Sequence, residues 1–267
     1  MTAKEDPEFA KNTLETANRS GFPFQMAVKR MIEDSEKDHH WEIVGAEQAW
    51  GDPTGRGGFI DIVARNGTVD LIIECKRRAE GRWVFLRESS SWIRRDVLIV
   101  GSDVNQRHLG KGIYELAASI EPATVECEFC AVPGASEKDR GRSLEGLASD
   151  VVLAAEAWAV RTVSDPDLGA RFPRRAYIPM IVTNLEIAEC AFDPAKVPLS
   201  DGLIPPDEAV PDVVPAVRFT KSVGGSFPPG FVTKDRRRTV LVVSAPQLQA
   251  FLCQMMWLRP TLLEVPQ

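Results

Sequence analysis

The amino-acid sequence predicts an α/β fold, in one large domain or two small ones. Apolar residues recur with helical spacing in residues 24–32 and again in 144–158, which indicates amphipathic helices. Elsewhere the chain has short runs rich in Val and Ile, bounded by Gly, Pro and Asn, which are typical of strands. The 267 residues are 44% apolar, and this is enough to form a hydrophobic core.

The first predicted helix follows a polar segment, residues 1–20. Pro23 suits the first turn of a helix, and the apolar residues that come next share one helical face: Phe24, Ala27, Val28, Met31 and Ile32. On a helical wheel, Gln25 and Glu36 lie on the flank of this apolar stripe. They are therefore the two helix residues that could face a site at the boundary between helix and sheet.

A β-hairpin is the feature that points most directly to chemistry. A first strand is predicted over Trp41–Trp50, and a turn-rich connection leads from it into two apolar runs, Phe59–Ala64 and Val69–Cys75. Between these runs stands Asn66-Gly67, the dipeptide that best tolerates positive φ at both centres of a two-residue turn. The expected structure is an antiparallel hairpin with its turn at Asn66-Gly67.

Counting outward from that turn places Asp61 opposite Ile72. Because side chains alternate along a strand, Asp61, Glu74 and Lys76 then share one face of the hairpin. Asp61 and Glu74 become diagonal neighbours with a backbone separation of roughly 7–8 Å, a gap that two carboxylates can close around one divalent cation. Asp70 shares this face too, but its place beside the turn predicts a solvated acid.

Three side chains on one face would provide what phosphodiester hydrolysis requires, which is a cation, an activated water and charge stabilisation. Asp61 and Glu74 supply hard oxygen ligands suited to Mg²⁺ or Mn²⁺. The backbone carbonyl of Cys75 could complete the protein's share of the ligands. Lys76 could hold the attacking water and a phosphate oxygen.

The order of an amphipathic helix, a strand, and Asp61 separated by twelve residues from Glu74-Cys75-Lys76 resembles the PD-(D/E)XK, or restriction-endonuclease-like, nuclease superfamily. The resemblance implies a core of mixed sheet flanked by helices, with Asp61 and Glu74 as metal ligands and Lys76 as the catalytic lysine. It also implies a Mg²⁺-dependent DNA endonuclease of bacterial restriction, defence or repair. Gln25 stands where such enzymes often place a glutamate.

Gln25 keeps a second function open, because a neutral amide binds Mg²⁺ less well than a carboxylate does. This alternative is a catalytically weak subunit with the nuclease fold, which binds nucleic acid or assembles a larger complex. Duplex cleavage by an enzyme with one site would be easiest for a homodimer. DNA is the expected partner, and the sequence does not separate DNA from RNA.

A local excess of positive charge follows the hairpin. Residues 76–111 contain nine Lys or Arg against four acidic residues, a charge of +5 in a chain whose net charge is −6. Aromatic residues are interleaved with these cations, as in surfaces that bind a phosphate backbone. The candidate nucleic-acid-binding residues are Arg77, Arg78, Arg82, Arg94 and Arg95. A solvated charged loop is the alternative explanation of the same pattern.

The rest of the chain predicts further strands over 96–100, 176–183, 186–192 and 239–244, and helices over 109–120, 144–158 and 246–258. Residues 194–229 hold eight of the 19 prolines, which suggests a surface wrap or a lid, with an edge strand over 213–219. The expected organisation is a polar segment over 1–20, a nuclease-like core over 21–192, and a Pro-rich, β-containing C-terminal extension over 193–267 packed on the core.

Composition predicts a cytoplasmic protein. The chain has five cysteines, an odd number, and begins with the polar sequence Met-Thr-Ala-Lys-Glu-Asp rather than an apolar signal segment. No apolar run approaches the length that spans a membrane, so a membrane partner is not expected.

Overall fold

The computed structural model describes residues 7–51, 55–90, 93–105, 112–131, 144–165, 173–222 and 237–258. The helices are α1 (Pro7–Arg19), α2 (Phe22–Asp34), α3 (Glu36–His39), α4 (Leu144–Ser164) and α5 (Leu248–Gln254). The strands are β1 (Glu42–Gly51), β2 (Gly57–Asn66), β3 (Val69–Lys76), β4 (Arg82–Glu88), β5 (Ile93–Asp103), β6 (Ile113–Glu126), β7 (Phe129–Ala131), β8 (Arg174–Thr183), β9 (Glu186–Phe192), β10 (Val210–Val214), β11 (Ala216–Ser222), β12 (Arg237–Ser244) and β13 (Met256–Leu258). The predicted α/β class is confirmed.

The larger of two sheets has nine strands in the order β1-β2-β3-β8-β12-β11-β6-β13, with β5 paired to both β6 and β8. Strands β3, β8 and β12 run parallel to one another, as do β6 and β11, and the other neighbours are antiparallel. The sheet is therefore mixed. Because β8 pairs with both β5 and β12, the strands β8, β5, β6, β11 and β12 close into a barrel.

Two apolar cores lie on opposite sides of this sheet. Helix α4 covers one side, where Trp158 and its apolar neighbours pack with the smaller sheet, β10-β9-β4-β7. Helices α2 and α5 cover the other side, with Ile32 and Phe251 in the second core. The β2–β3 hairpin contributes to both cores, since Ile72 belongs to the first and Ile73 to the second. Among the described residues, no helix is both long and apolar enough to cross a membrane.

The helix predicted over 109–120 is wrong, because β6 begins at Ile113 and pairs along β5. The buried residues of its first half are Leu116, Ala118 and Ile120, which alternate with more exposed ones. Residues four apart share a face in a strand as they do in a helix, so the spacing of Leu116 and Ile120 did not separate the two structures.

Three other segments also differ from expectation. Residues 82–88 form β4 rather than a solvated loop, and Trp83 and Phe85 are buried in the core. The helix predicted over 246–258 is shorter, since α5 ends at Gln254 and β13 follows. The edge strand expected over 213–219 is divided at Pro215 into β10 and β11, which belong to different sheets. The remaining predicted strands and the helix after residue 143 are confirmed.

Candidate active site

The β2–β3 hairpin forms as expected, but its turn lies one residue further along the chain. Asn66 pairs with Val69, so Gly67 and Thr68 occupy the two turn positions. Gly67 has φ 57°, whereas Asn66 remains in the strand. A two-residue turn with positive φ only at its first position requires glycine there, and this requirement explains the shift from the predicted Asn66-Gly67 turn.

Moving the turn by one residue changes the pairing by two, which preserves the parity on which the predicted shared face depends. Continued by one pair beyond Ile62 and Ile73, the register brings Asp61 opposite Glu74 rather than Ile72. Asp61 Oδ2 accepts a hydrogen bond of 2.7 Å from the backbone N–H of Cys75. The Asp61 carboxylate is therefore held against the backbone between Glu74 and Lys76.

Glu47 on β1 is a site residue that the sequence did not reveal. Its neighbours Ala46 and Gln48 pair with Ile62 and Ile60, which places Glu47 beside Asp61. Its φ of 51° lies in the left-handed region, where a non-glycine residue is uncommon and often marks a functional position. The pairing of β1 shifts between Ile43 and Gly45, so counting along the sequence could not give this juxtaposition.

Gln25 reaches the same site from the N-terminal half of α2. Its Nε2 atom donates to the Glu47 carboxylate and, at 3.2 Å, to the backbone carbonyl of Asp61. Glu36, the other flank residue, does not continue this helix, because α2 ends at Asp34 and Glu36 lies exposed in α3. The structure therefore brings Gln25 to the carboxylates and leaves Glu36 on the surface.

The carboxylates interact electrostatically with one another. Burial raises the pKa of Asp61 to about 6; the Cys75 N–H opposes the shift, the Glu47 charge adds to it, and Lys76 again opposes it. Burial also raises the pKa of the Cys75 thiol well above its usual value, and Asp61, Glu74 and Glu47 all contribute. These effects indicate a concentration of negative charge that a bound cation would relieve.

The donor atoms at this site suit a hard divalent cation. Asp61, Glu74 and Glu47 offer carboxylate oxygens, and Cys75 offers a backbone carbonyl. In the part of the chain that the structure describes, no three His, Cys, Asp or Glu side chains converge closely enough to hold a metal ion. Mg²⁺ commonly takes only one or two carboxylates and completes its shell with water and substrate phosphate. The residues fit that mode of binding rather than an enclosed protein cage.

The five arginines predicted to bind nucleic acid lie in three parts of the fold, which are the end of β3, β4 and β5. Three of them form ion pairs with acidic residues: Arg82 with Glu186 at 2.7 Å, Arg94 with Glu126 at 3.0 Å, and Arg95 with Glu121. Arg82 begins β4 in the smaller sheet, whereas Arg94 and Arg95 lie on β5. Much of the local excess of positive charge is thus balanced within the folded chain.

Arg77 and Arg78 directly follow Lys76 at the end of β3. The guanidinium of Arg77, an exposed residue, donates to the backbone carbonyl of Asn18 at 3.1 Å. The backbone of Arg78 is held at both ends by the Asn184 side chain, at 2.8 and 2.9 Å. Of the five arginines, these two are the nearest in sequence to the candidate lysine.

Asp70 is not the solvated acid that its place beside the turn suggested. It is fully buried, and it accepts hydrogen bonds from Arg65 at 2.8 and 2.9 Å, from Arg175 at 3.0 Å and from the Trp158 indole at 3.0 Å. The expectation is wrong because β3 lies between β2 and β8 with α4 packed over it. Two guanidinium groups compensate the buried charge of Asp70.

Comparisons of the chain with protein-family models, with curated proteins and with solved structures find no match. Any chemistry assigned to the protein therefore rests on its own residues. The residues that the fold brings together are Glu47 on β1, Asp61 on β2, Glu74, Cys75 and Lys76 on β3, and Gln25 on α2.

Proposed function

We propose that this protein is a Mg²⁺- or Mn²⁺-dependent endonuclease that hydrolyses phosphodiester bonds in DNA, with a restriction-endonuclease-like core. The observation that carries the proposal is the hydrogen bond from the Cys75 backbone to the Asp61 carboxylate, which fixes Asp61 between Glu74 and Lys76. Two carboxylates and a lysine in this arrangement are suited to binding a cation and a phosphate together.

Each residue has a distinct role in the proposed reaction. Asp61 and Glu74 would hold the cation, with the Cys75 carbonyl as a further oxygen ligand, and the Glu47 carboxylate beside Asp61 adds negative charge to the site. When bound, the cation supplies charge neutralisation and a water of lowered pKa. The Lys76 ammonium stabilises the negative charge on the phosphate and orients the attacking water.

The electrostatics of Asp61 support this assignment independently of the spacing. Most buried acids with a structural role have their charge compensated, whereas burial and the Glu47 carboxylate together raise the pKa of Asp61 to about 6. Acidic groups held in this unfavourable state are characteristic of functional sites. A divalent cation between the carboxylates would remove the repulsion and favour the ionised form of Asp61.

The proposed substrate path begins at Lys76 and continues to Arg77 and Arg78, where cationic side chains suit a phosphate backbone. Arg82, Arg94 and Arg95 are secondary candidates, because each already pairs with a carboxylate of the protein. Such an enzyme would act in the cytoplasm of a bacterium, in restriction, defence or DNA repair. Cutting of both strands would be served by a homodimer or by a larger complex.

Cleavage assays on plasmid and linear DNA, with Mg²⁺, Mn²⁺ or EDTA, test the proposal. Asp61→Ala and Lys76→Ala should each lower the metal-dependent rate by at least about 100-fold, because each removes a group that stabilises charge in the transition state. Asp207→Ala and Lys37→Ala, which change exposed residues outside the site, should cut like the wild type. Circular dichroism checks that every variant folds. Undiminished cleavage by both site variants would refute the assignment.

A catalytically weak nuclease-fold subunit is the second candidate, and the amide at position 25 is the observation that favours it. This function predicts DNA binding in EDTA that persists in the Asp61→Ala variant, with no cleavage by the wild type in either metal. Filter binding on single-stranded DNA, duplex DNA and RNA, run beside the cleavage assay, separates the two functions and identifies the preferred nucleic acid.

A further inference from the structure

Gln25 connects three elements at the candidate site. From α2, its single Nε2 group donates to the side chain of Glu47 on β1 and to the backbone carbonyl of Asp61 on β2. The carboxamide nitrogen carries two hydrogens, so both donors are engaged. Both contacts use the nitrogen, and the carbonyl oxygen Oε1, through which an amide would bind a metal, takes part in neither.

A carboxylate at position 25 could not make these contacts, because an ionised Glu has acceptors and no donor. It would oppose the Glu47 carboxylate and the Asp61 carbonyl oxygen, both of which are negative or electron-rich. Glutamine at position 25 is a poorer metal ligand than glutamate, but it supplies the donor that these two hydrogen bonds require.

The contacts of Gln25 fall where the backbone of β1 leaves the extended conformation. Glu47 adopts φ 51°, a conformation that persists in non-glycine residues only when surrounding contacts fix it. Asp61, beside it on β2, receives the Gln25 hydrogen bond at its backbone carbonyl, and its carboxylate accepts from the Cys75 N–H at 2.7 Å. Gln25 thus fixes the side chain of one carboxylate and the backbone of the other at a single point.

We propose that Gln25 is a positioning residue, whose carboxamide holds Glu47 and Asp61 so that their carboxylates face one divalent cation. The role in metal binding rests on the proposed nuclease function, whereas the role in holding β1 against β2 does not. Partners that orient metal ligands typically change metal affinity or activity about 10- to 100-fold when they are removed.

Substitution at position 25 separates positioning from ligation, because the two roles predict opposite signs. If Gln25 were a poor ligand, Gln25→Glu would strengthen Mn²⁺ binding and speed cleavage. As a positioning residue, Gln25→Glu and Gln25→Ala should each weaken Mn²⁺ binding about 10- to 100-fold, and kcat should fall while the KM for DNA changes little.

The experiment uses isothermal titration with Mn²⁺, steady-state cleavage, and thermal melting in EDTA. Gln25→Glu should lower the melting temperature, and the double variant Gln25→Glu/Glu47→Gln should recover part of the loss. An amide at 47 can again donate to a carboxylate at 25, whereas the Asp61 carbonyl still lacks its donor. The double variant should not recover Mn²⁺ affinity, since it lacks the Glu47 carboxylate. Gln249→Glu is the matched control: Gln249 also donates to a carboxylate, Asp38 at 3.4 Å, on an exposed surface of α5 and α3.

Tighter Mn²⁺ binding or faster cleavage by Gln25→Glu would overturn the proposal, as would a Gln25→Ala variant that melts and binds Mn²⁺ like the wild type. If the wild type neither binds Mn²⁺ nor cleaves nucleic acid, the proposed nuclease function fails. The melting experiment then decides the positioning role alone: a rescued loss of stability supports it, and equal melting temperatures refute it.

Discussion

At the scale of single residues, two aspartates of the same hairpin differ in how their charge is compensated. Asp70 is buried between Arg65, Arg175 and the Trp158 indole, which together supply four hydrogen bonds. Asp61 accepts one backbone hydrogen bond, and Glu47 beside it adds a negative charge rather than a positive one. Asp70 therefore has the surroundings of a structural ion pair, whereas Asp61 has the uncompensated surroundings that are characteristic of functional sites.

The raised pKa of Asp61 predicts a specific pH dependence of stability without metal. The folded chain holds the Asp61 proton up to about pH 6, whereas the unfolded chain releases it near pH 3.8. Stability should consequently fall as the pH rises from about 4 to about 6, because the folded state then pays for ionising Asp61. Asp61→Asn should be more stable than the wild type above pH 6, by up to about 2–3 kcal/mol.

Urea denaturation in EDTA at a series of pH values measures this difference. The gap between Asp61→Asn and the wild type should be close to zero below pH 4 and should reach its full size above pH 6. Asp207→Asn, an exposed acid outside the site, should show no such gap. A difference that stays constant across the pH range would contradict the assignment.

At the scale of elements, β10 is an exposed strand at the edge of the smaller sheet. Val210 and Val213 are 64% and 55% exposed. An edge strand with exposed apolar side chains tends to pair with a strand of another chain. Two features oppose such pairing. Pro211 has no N–H, and the N–H of Val213 donates at 2.8 Å to the Asp212 carboxylate. Residues 211 and 213 direct their backbone groups to the same side of the strand, because these groups alternate along it. That side of β10 therefore offers few backbone N–H donors to another strand.

Removal of both features should allow β10 to pair with the same strand of another molecule. The double variant Pro211→Thr/Asp212→Ala should keep the fold and self-associate with rising concentration, because it restores free N–H groups beside exposed valines. Sedimentation velocity over a range of concentrations is the measurement. The control Pro206→Thr/Asp201→Ala changes the same residue types in the preceding loop, where Asp201 also accepts a backbone N–H, from Leu203. Equal association of the two double variants would rule out the edge explanation.

Sequence patterns predicted some of these elements correctly and others incorrectly, and each outcome has a physical reason. The β2–β3 hairpin was predictable because Gly67 marks its turn and β-branched residues flank it. The segment 109–120 was assigned wrongly, because a four-residue spacing of apolar side chains fits both a helix and a strand. In the structure, residues 113–126 pair with β5 and form a strand. The aromatic residues among the cations include Trp83 and Phe85, which lie on β4. The pairing of β4 with β7 and β9 shows it to be a strand, and these two side chains pack in the core.

At the scale of the whole molecule, strands from the last third of the chain complete the main sheet. β12 lies between β8 and β11 and runs parallel to β8. Val240, Leu241, Val242 and Val243 on this strand are each fully buried. Burial of such a side chain contributes about 1.5–3 kcal/mol, so the four contribute about 6–12 kcal/mol. This is comparable with the whole stability of a typical domain, about 5–15 kcal/mol.

A chain that ends at residue 192 should therefore fail to fold on its own, since β8 would lose β12 and the barrel would stay open. The expected result is an aggregated or unfolded protein with no cooperative thermal transition by circular dichroism. A chain that ends at residue 258 retains all the described strands and should melt like the full-length protein. A cooperative transition in the shorter chain would instead support an independent core over 21–192.

The sequence by itself determined the α/β class and the β2–β3 hairpin, and it led to the prediction that Asp61, Glu74 and Lys76 share one face. These depend on local rules, because alternation along a strand is unaffected when a turn moves by one residue. Only the tertiary structure decided that Glu47 lies beside Asp61, that Gln25 donates to both, and that Asp70 is buried rather than solvated. These features depend on the register of β1 against β2, on the packing of α2 near the carboxylates, and on the packing of α4 over β3. All three are contacts between segments far apart in the chain, and no local spacing encodes them.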